Sequence, residues 1–189
     1  MSRIAAPFLT HAEQSAKLGI TTHPVTSADY ANIGALHDVV FGPGALTRTA
    51  YRIREGLPLH TPFCRLAAHG PRLMGFIRFA PIHIGGQGPA LMLGPLAVHP
   101  DYANQGHARR LIGEGLEAAR QGGIALAILV GDRPYYGRLG FLAVPLHQIV
   151  MPGPVDPARL LAYELEPSAL ARFTGPVRAA RSSAARLRV

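Results

Sequence analysis

A chain of 189 residues that is 48% apolar and only 16% charged can bury one ordinary core, and this composition excludes an intrinsically disordered protein. The 19 basic and 11 acidic residues leave a formal net charge of +8, which raises the question of an acidic partner. Cys64 is the only cysteine, so an internal disulfide is excluded and we expect a reducing, cytoplasmic location.

The first half of the chain is predicted to hold two helices and three strands, after an N-terminal extension of residues 1–18. Apolar patterning and turn residues predict a strand at 20–26, a helix capped by Ser27 or Asp29 that runs to about Phe41, a helix at about 45–55, and strands at 63–69 and 72–84. Gly70-Pro71 between the last two strands is a hairpin signal.

The second half is predicted to hold two helices and four strands. They are a buried strand at 91–98, a helix at about 107–121, a buried strand at 125–130, a short helix at about 134–139, a strand that opens at Phe141, and a last strand at 160–166. The sequence shows no internal repeat, no secretory leader and no apolar run of about 18 residues, so we expect neither a membrane nor export. We therefore expect one mixed α/β domain over residues 19–170 and an Arg-rich tail over 171–189.

The positive charge is concentrated at the C-terminal end. The first 166 residues carry 14 basic and 11 acidic side chains, whereas the remainder carries five arginines and no acid. A solvated tail without large apolar anchors is the simpler interpretation, so deletion of residues 178–189 is expected to leave folding nearly unchanged. The alternative is an arm that binds nucleic acid; the salt dependence of DNA binding, with and without residues 167–189, would separate the two.

The junction of the predicted strand 91–98 and helix 107–121 has the features of a phosphate-binding site. A buried strand enters a loop that contains Gly106, and a helix begins directly after it. The first turn of a helix offers unpaired N–H groups and the positive end of the helix dipole. Gly106 lets the backbone approach an anion, and Arg109 and Arg110 add positive charge. The same pattern also occurs at strand–helix turns that bind nothing.

Two segments carry a family resemblance. Residues 93–112, LGPLAVHPDYANQGHARRLI, resemble motif A of the GNAT superfamily of N-acetyltransferases, which runs V-x-P-x-x-(Q/R)-x-x-G-x-(G/A)-x-x-L-(I/L). Residues 131–141, GDRPYYGRLGF, resemble motif B, in which a Tyr stands five residues before the Phe of a Gly-Phe pair; here these are Tyr136 and Phe141. The motif A positions that match are Val98, Pro100, Gly106, Ala108, Leu111 and Ile112. Both segments look most like a bacterial subgroup of predicted N-acetyltransferases.

The resemblance implies a GNAT-like α+β fold: a central, mostly antiparallel twisted sheet with a splayed strand pair, flanked by helices. It implies acetyl-coenzyme A as the cosubstrate, held without a metal. Backbone groups of Leu96, Ala97 and Val98 would pair with the pantetheine. The loop and helix start would hold the pyrophosphate through the amides of Asn104, Gln105, Gly106, His107, Ala108 and Arg109.

The resemblance also implies the chemistry. A neutral amine attacks the thioester, and Tyr136 matches the family's general acid, which returns a proton to the leaving thiolate. The family's usual Glu base has no counterpart in strand 91–98, so the base stays unassigned. The nine histidines show no metal-ligand spacing.

One departure from motif A favours an alternative function. Ala103 stands where the family has Gln or Arg, so the loop lacks one side-chain donor and coenzyme binding is expected to be weaker. The leading hypothesis is an acetyltransferase acting on an amine of a small molecule or protein, with a homodimer left open and nucleic acid not expected as a partner. The alternatives are a coenzyme A-binding regulatory module of weak or absent activity, and a nucleic-acid-associated protein that uses the basic tail.

Overall fold

A computed structural model describes residues 19–42 and 49–180. In chain order, the elements are β1 (Ile20–Pro24), α1 (Tyr30–Phe41), α2 (Thr49–Arg54), β2 (Arg65–His69), β3 (Arg72–Ile84), β4 (Gln87–Val98), α3 (His107–Gln121), β5 (Leu126–Val130), α4 (Arg133–Gly137), β6 (Leu142–Ala143), β7 (Ile149–Val150), β8 (Leu160–Glu164) and β9 (Gly175–Ala179). No helix in this part of the chain is long and apolar enough to cross a membrane.

The two long elements that follow strong patterns match their predicted bounds. β3 and α3 begin and end where the sequence predicts. The apolar stripe of α3 is fully buried at Leu111, Ile112 and Leu116, which confirms the helical period. Asp29, one of the two predicted caps, is the N-cap residue of α1, but its side chain makes no capping bond to that helix. It instead forms a capping box with Thr26 on the short 3-10 turn that precedes α1.

The strands pair in the order β1–β2–β3–β4–β5–β8–β6, with β9 also on β3 and β7 on β9. The pairs β1–β2, β2–β3, β3–β9, β5–β8 and β6–β8 are antiparallel. The predicted mostly antiparallel sheet in a mixed α/β fold is therefore confirmed.

The parallel pairing of β4 with β5 is short. It covers only Ala90–Met92 against Leu126–Ile128. β4 nevertheless continues to Val98, so its last six residues extend past this ladder.

The chain divides into two compact units, with β3 and β4 each contributing residues to both. The first unit contains residues up to Leu46, Leu59–Phe79 and Gly94–Ala118. Its core joins α1 to β2, β3 and β4 through residues that are at most 9% exposed: Val25, Ile33, Leu36, Cys64, Leu66, Ala68, Phe76 and Ala97. β4 contributes Ala97, which lies between Leu96 and Val98, to this core.

The second unit contains Thr47–Pro58, Ala80–Leu93 and the chain from Ala119 onward. Its core is built on β5 and β8 and on the second half of β3, and includes Ile82, Ile128 and Ala162. Gln148 links two later segments, because its side-chain amide donates to the carbonyls of Leu170 and Phe173 at 2.6 and 3.0 Å. These bonds and the buried side chain of Phe173 place the chain after residue 170 within the folded unit.

β9 revises the predicted start of the Arg-rich tail. The sequence assigns residues 171–189 to a solvated tail, but Gly175–Ala179 form a strand in which three residues pair with β3. Val177 is only 3% exposed and belongs to the core of the second unit. The pattern was missed because the strand is short and its sequence, GPVRA, contains one large apolar residue. Residues 181–189, which carry the remaining tail arginines, lie outside the described residues.

Two truncations should therefore behave differently. Deletion of residues 175–189 is expected to lower the free energy of unfolding by about 1.5–3 kcal/mol or more, because it exposes the site of one buried valine and removes the β9 ladder. Deletion of residues 181–189 removes none of these contacts and should change the melting temperature much less. Thermal unfolding of the two truncated chains tests this; equal melting temperatures would show that β9 contributes nothing to stability.

Candidate functional site

The end of β4 presents backbone groups at an edge that no described strand occupies. The amide of His99 donates to the carbonyl of Met74 on β3 at 2.8 Å. Because N–H and C=O groups alternate sides along a strand, the groups of Val98 and Leu96 point to the opposite edge. The ladder on that edge ended at Met92. The backbone of Leu96 and Val98 is therefore available to an extended ligand.

Ala97 differs from its two neighbours. Its side chain is 1% exposed and belongs to the core of the first unit. Its carbonyl faces β3, since a Cβ built on Gly75 would lie 3.2 Å from that oxygen. Among the three predicted contact residues of β4, Leu96 and Val98 thus have the orientation that pairing with a ligand requires, and Ala97 does not.

The loop between β4 and α3 is shaped by its own hydrogen bonds. A 3-10 turn at Pro100–Tyr102 follows β4, and the imidazole Nδ1 of His99 accepts from the amide of Asp101 at 3.3 Å. The side-chain amide of Gln105 donates to the carbonyl of Asp101 at 3.2 Å. The side chain of Gln105 therefore stabilises the conformation of the loop itself.

Two residues in the left-handed backbone region aim the loop toward the helix. Asn104 has φ 61° and Gly106 has φ 85°. Gly106 tolerates this conformation because it lacks a Cβ, and its carbonyl accepts the first helical bond, from Arg110 N at 3.0 Å. Gly106 therefore stands at the N-terminal cap of α3, and His107, whose ring is buried, is the first helical residue.

A row of backbone amides at this position has no partner. Within residues 19–42 and 49–180, none of the following amides donates a hydrogen bond: Asn104, Gln105, Gly106, Ala108 and Arg109. The first N–H groups of an α-helix have no partner within the helix, and in the 15-residue α3 they lie at the positive end of the helix dipole. Five of the six amides predicted to hold pyrophosphate are thus free to do so.

The two arginines after the loop have different roles. Arg109 makes no side-chain hydrogen bond or ion pair within the described part of the chain, so its charge is available near the helix start. Arg110 was expected to add charge at the same place, and this expectation is wrong. Its guanidinium binds the Glu114 carboxylate at 2.8 Å and the Thr22 hydroxyl at 2.9 Å, which ties α3 to β1.

Tyr136 lies in the second unit, in the last turn of the five-residue helix α4. The prediction placed it nearer the helix start. Its amide donates to the carbonyl of Asp132 at 3.0 Å, and its own carbonyl accepts from Leu139 and Phe141 at 2.9 and 3.2 Å. Asp132 is the N-cap residue of α4, but its side chain makes no capping bond. These bonds hold the Tyr136 backbone firmly.

Aromatic packing holds the Tyr136 ring and leaves its hydroxyl uncommitted. The ring meets Phe141 edge-on, with centroids 5.5 Å apart, and meets Tyr135 at 5.0 Å. Phe141 is buried and contacts Tyr163 in turn, at 5.1 Å. The Tyr136 hydroxyl has no hydrogen-bond partner among the residues described. A ring fixed by packing with an unused O–H group is suited to donate to a ligand.

The environment keeps this phenol protonated. Burial raises the pKa of Tyr136 to about 12; Tyr135 and Asp132 act in the same direction, while the positive charge of Arg159 opposes them. At neutral pH, Tyr136 is therefore a hydrogen-bond donor with its proton in place, and it does not serve as a base.

Gly131 is required by the position of the Tyr136 ring. A Cβ at Gly131 would overlap Tyr136 Cε2 and would lie 2.8 Å from Leu129 Cδ1. Gly131→Ala is expected to displace the ring and lower turnover at least tenfold, since a misplacement of about 1 Å can cost 10²-fold. Gly137→Ala is the matched control, because a Cβ there meets nothing within 4 Å. Comparable activity in the two variants would show that the ring has room to move.

The predicted site residues therefore fall into two groups. The coenzyme-contact residues, 96–98 and 104–109, are together in the first unit, whereas Tyr136 belongs to the second. In residues 19–42 and 49–180, no cluster of three or more His, Cys, Asp or Glu side chains could hold a metal ion. Apart from the motif itself, no pattern in the sequence predicts that the Tyr136 hydroxyl lacks a partner among the described residues or that its ring packs against Gly131.

Comparisons with known proteins agree with both motifs. Residues 33–141 match the model of the Acetyltransferase (GNAT) family. The chain is 31% identical over 107 residues to the uncharacterized N-acetyltransferase YhbS of Escherichia coli K12. This match covers 56% of the chain and 64% of YhbS, so it spans less than two thirds of that relative.

Solved structures extend the likeness beyond the motifs. The crystal structure of Escherichia coli YhbS in complex with CoA superposes with a TM-score of 0.75 at 27% identity, over 86% of this chain and 90% of that one. A GNAT family acetyltransferase from Brucella melitensis in complex with acetyl-CoA superposes with a TM-score of 0.58 at 28% identity, over 80% and 98% of the two chains.

Proposed function

The chain belongs to the GNAT acetyltransferase family, and we propose that it transfers the acetyl group of acetyl-coenzyme A to a primary amine of a small molecule or protein. The observation that carries this proposal is the set of five amides at the start of α3 that have no hydrogen-bond partner among the described residues: those of Asn104, Gln105, Gly106, Ala108 and Arg109. Free N–H groups at a helix start bind phosphate groups. Two solved relatives hold CoA or acetyl-CoA, which supports the same ligand class here.

The geometry of β4 and α3 fits the two ends of such a ligand. The free backbone edge at Leu96 and Val98 has N–H and C=O groups for the amides of a pantetheine arm. The amides of the loop, with the unpaired Arg109, supply positive potential for a pyrophosphate. Ala103 is exposed and lacks a donor, so the hold on phosphate depends on the backbone.

Acetyl-coenzyme A supplies an activated acetyl group bonded to sulfur. In the transfer, the amine nitrogen loses a proton and bonds the acetyl carbon, and the sulfur leaves as a thiolate. A thiol has a pKa of about 8.5, whereas that of Tyr136 is raised to about 12, so complete proton transfer from the phenol is disfavoured by roughly a thousandfold. We therefore assign Tyr136 the role of a hydrogen-bond donor that stabilises the thiolate until solvent protonates it.

Proton removal from the amine has no assigned protein base. An alkyl ammonium has a pKa near 10, so only a small fraction of the acceptor is neutral at pH 7. The last part of β4, residues 93–98, contains no acid or histidine. We propose that the acceptor loses its proton to water before attack, in which case kcat/KM rises with pH through the neutral range.

Direct binding is the first test. Acetyl-CoA at about a hundred times its dissociation constant should stabilise the chain by roughly 2.7 kcal/mol, which is measurable as a rise in melting temperature. A panel of primary amines, assayed by release of free thiol from acetyl-CoA, then identifies the acceptor class. Absence of any thermal shift at millimolar acetyl-CoA would contradict the proposal.

A coenzyme A-binding regulatory module is the second candidate, favoured by the missing donor at Ala103 and the missing base on β4. Both candidates predict the thermal shift with acetyl-CoA. Only the enzyme releases thiol in an amine-dependent way, with a rate that depends on the Tyr136 hydroxyl. Binding without amine-dependent release across the panel would favour the regulatory module.

A further inference from the structure

A pocket in the second unit is lined by none of the residues assigned above to acetyl transfer. Its volume is about 540 Å³, within the range of small-molecule sites. α2, the segment around Met151 and β9 form its walls. Ile53 and Val177 give it an apolar floor and are each 3% exposed. The pocket is open to solvent, so it offers one side of a small molecule an apolar contact surface.

Three charged side chains line the same pocket. Arg52 and Glu55 come from α2 and the residue that follows it, and Arg178 comes from β9. All three are exposed, and none makes a side-chain hydrogen bond or ion pair within the described ranges. In particular, neither guanidinium is within 4.0 Å of the Glu55 carboxylate, the limit for an ion pair. The lining therefore carries a net positive charge, and its two guanidinium groups have no partner among the described residues.

We propose that this pocket binds a small molecule that carries one anionic group, a carboxylate or a phosphate monoester, on an apolar body. The guanidinium groups of Arg52 and Arg178 hold the anion, because their planar N–H arrays match carboxylate and phosphate oxygens. The apolar floor takes the rest of the molecule. Glu55 lowers the affinity for either anion by repulsion, so it limits how tightly the pocket binds. This site is separate from the acetyl-transfer chemistry and does not depend on it.

The test is direct titration of the full chain, without acetyl-CoA, by calorimetry. The probes are octanoate, octyl phosphate, octanol and octylamine, each below its critical micelle concentration. Octanoate or octyl phosphate should bind, octanol at least tenfold more weakly, and octylamine weakest. The comparison of octanoate with octyl phosphate distinguishes the two anion types. Because acetyl-CoA is absent, this result is independent of whether the chain transfers acetyl groups.

Substitutions at the three charged positions should change the affinity for the anionic probe in opposite directions. Arg52→Gln and Arg178→Gln should each weaken the better anionic probe about tenfold, the loss of one charge-assisted contact. Glu55→Gln should strengthen it several-fold by removing repulsion. Arg138→Gln is the matched control: Arg138 is exposed, unpaired within the described residues and outside the pocket, so binding should not change.

Several outcomes would overturn the proposal. Equal affinity for octanol and octanoate would show that the anionic group does not contribute to binding. Stronger binding of octylamine, with weakening by Glu55→Gln, would make the pocket a cation site. Equal effects of Arg138→Gln and Arg178→Gln would show general electrostatic attraction. No binding of either anionic probe at millimolar concentration would leave the pocket without the proposed ligand class.

Discussion

Tyr136→Phe is expected to lower kcat by roughly 10²–10³-fold while leaving the dissociation constant of acetyl-CoA nearly unchanged. This is the range observed when one hydrogen-bond donor to a developing anion is removed. The substitution keeps the ring that packs on Phe141 and Tyr135 and deletes only the hydroxyl, which has no partner in residues 19–42 and 49–180. The melting temperature should therefore change little. Steady-state kinetics with the best amine of the panel provide the measurement.

Tyr135→Phe is the control for this prediction. Tyr135 is adjacent in the chain, is 40% exposed and meets the same ring edge-on. Its substitution should reduce kcat less than about threefold, within the small changes that surface substitutions usually cause. Equal and mild effects at the two positions would show that the Tyr136 hydroxyl does not stabilise the leaving thiolate. A rise in KM with unchanged kcat at Tyr136 would assign its hydroxyl to substrate binding instead.

Gly106→Glu is expected to abolish the stabilisation by acetyl-CoA. The substitution brings a carboxylate and a longer side chain to the row of free amides at the start of α3, where a phosphate would otherwise bind. Repulsion between the carboxylate and the phosphates adds to the loss of space. We expect the dissociation constant to rise at least a hundredfold, measured by calorimetry or thermal shift.

Two further variants separate charge from backbone strain. Gly106→Ala keeps the strain of a positive φ, which costs about 1–2 kcal/mol for a residue with a Cβ, but adds no charge. It should lower the melting temperature as much as Gly106→Glu and retain measurable binding. Ala103→Gln restores the donor of motif A and should tighten binding several-fold. If both Gly106 variants bind as the parent does, the phosphate site lies elsewhere.

Local, repeating patterns of apolar residues were sufficient to predict α3 and β3. The apolar stripe of α3 and the run that forms β3 repeat over enough residues to specify both type and bounds. The phosphate loop was also readable, because Gly106 stands directly before a strongly amphipathic helix. Tyr136 was assigned through motif spacing alone, and nothing in the residues around it indicates that its hydroxyl is unpaired.

Contacts between residues that are far apart in the chain became visible only in the folded structure. Arg110 follows Arg109 directly, yet it binds Thr22, 88 residues earlier, and this contact removes its charge from the phosphate loop. β9 forms because Val177 pairs with Ile84, 93 residues earlier, and joins a core that includes Ile82 and Ile84, although its own segment has a weak strand pattern. The pocket lined by Arg52 and Arg178 arises in the same way. Contacts of this kind depend on which surfaces meet when the chain folds, and the secondary-structure propensities of the local residues do not predict them.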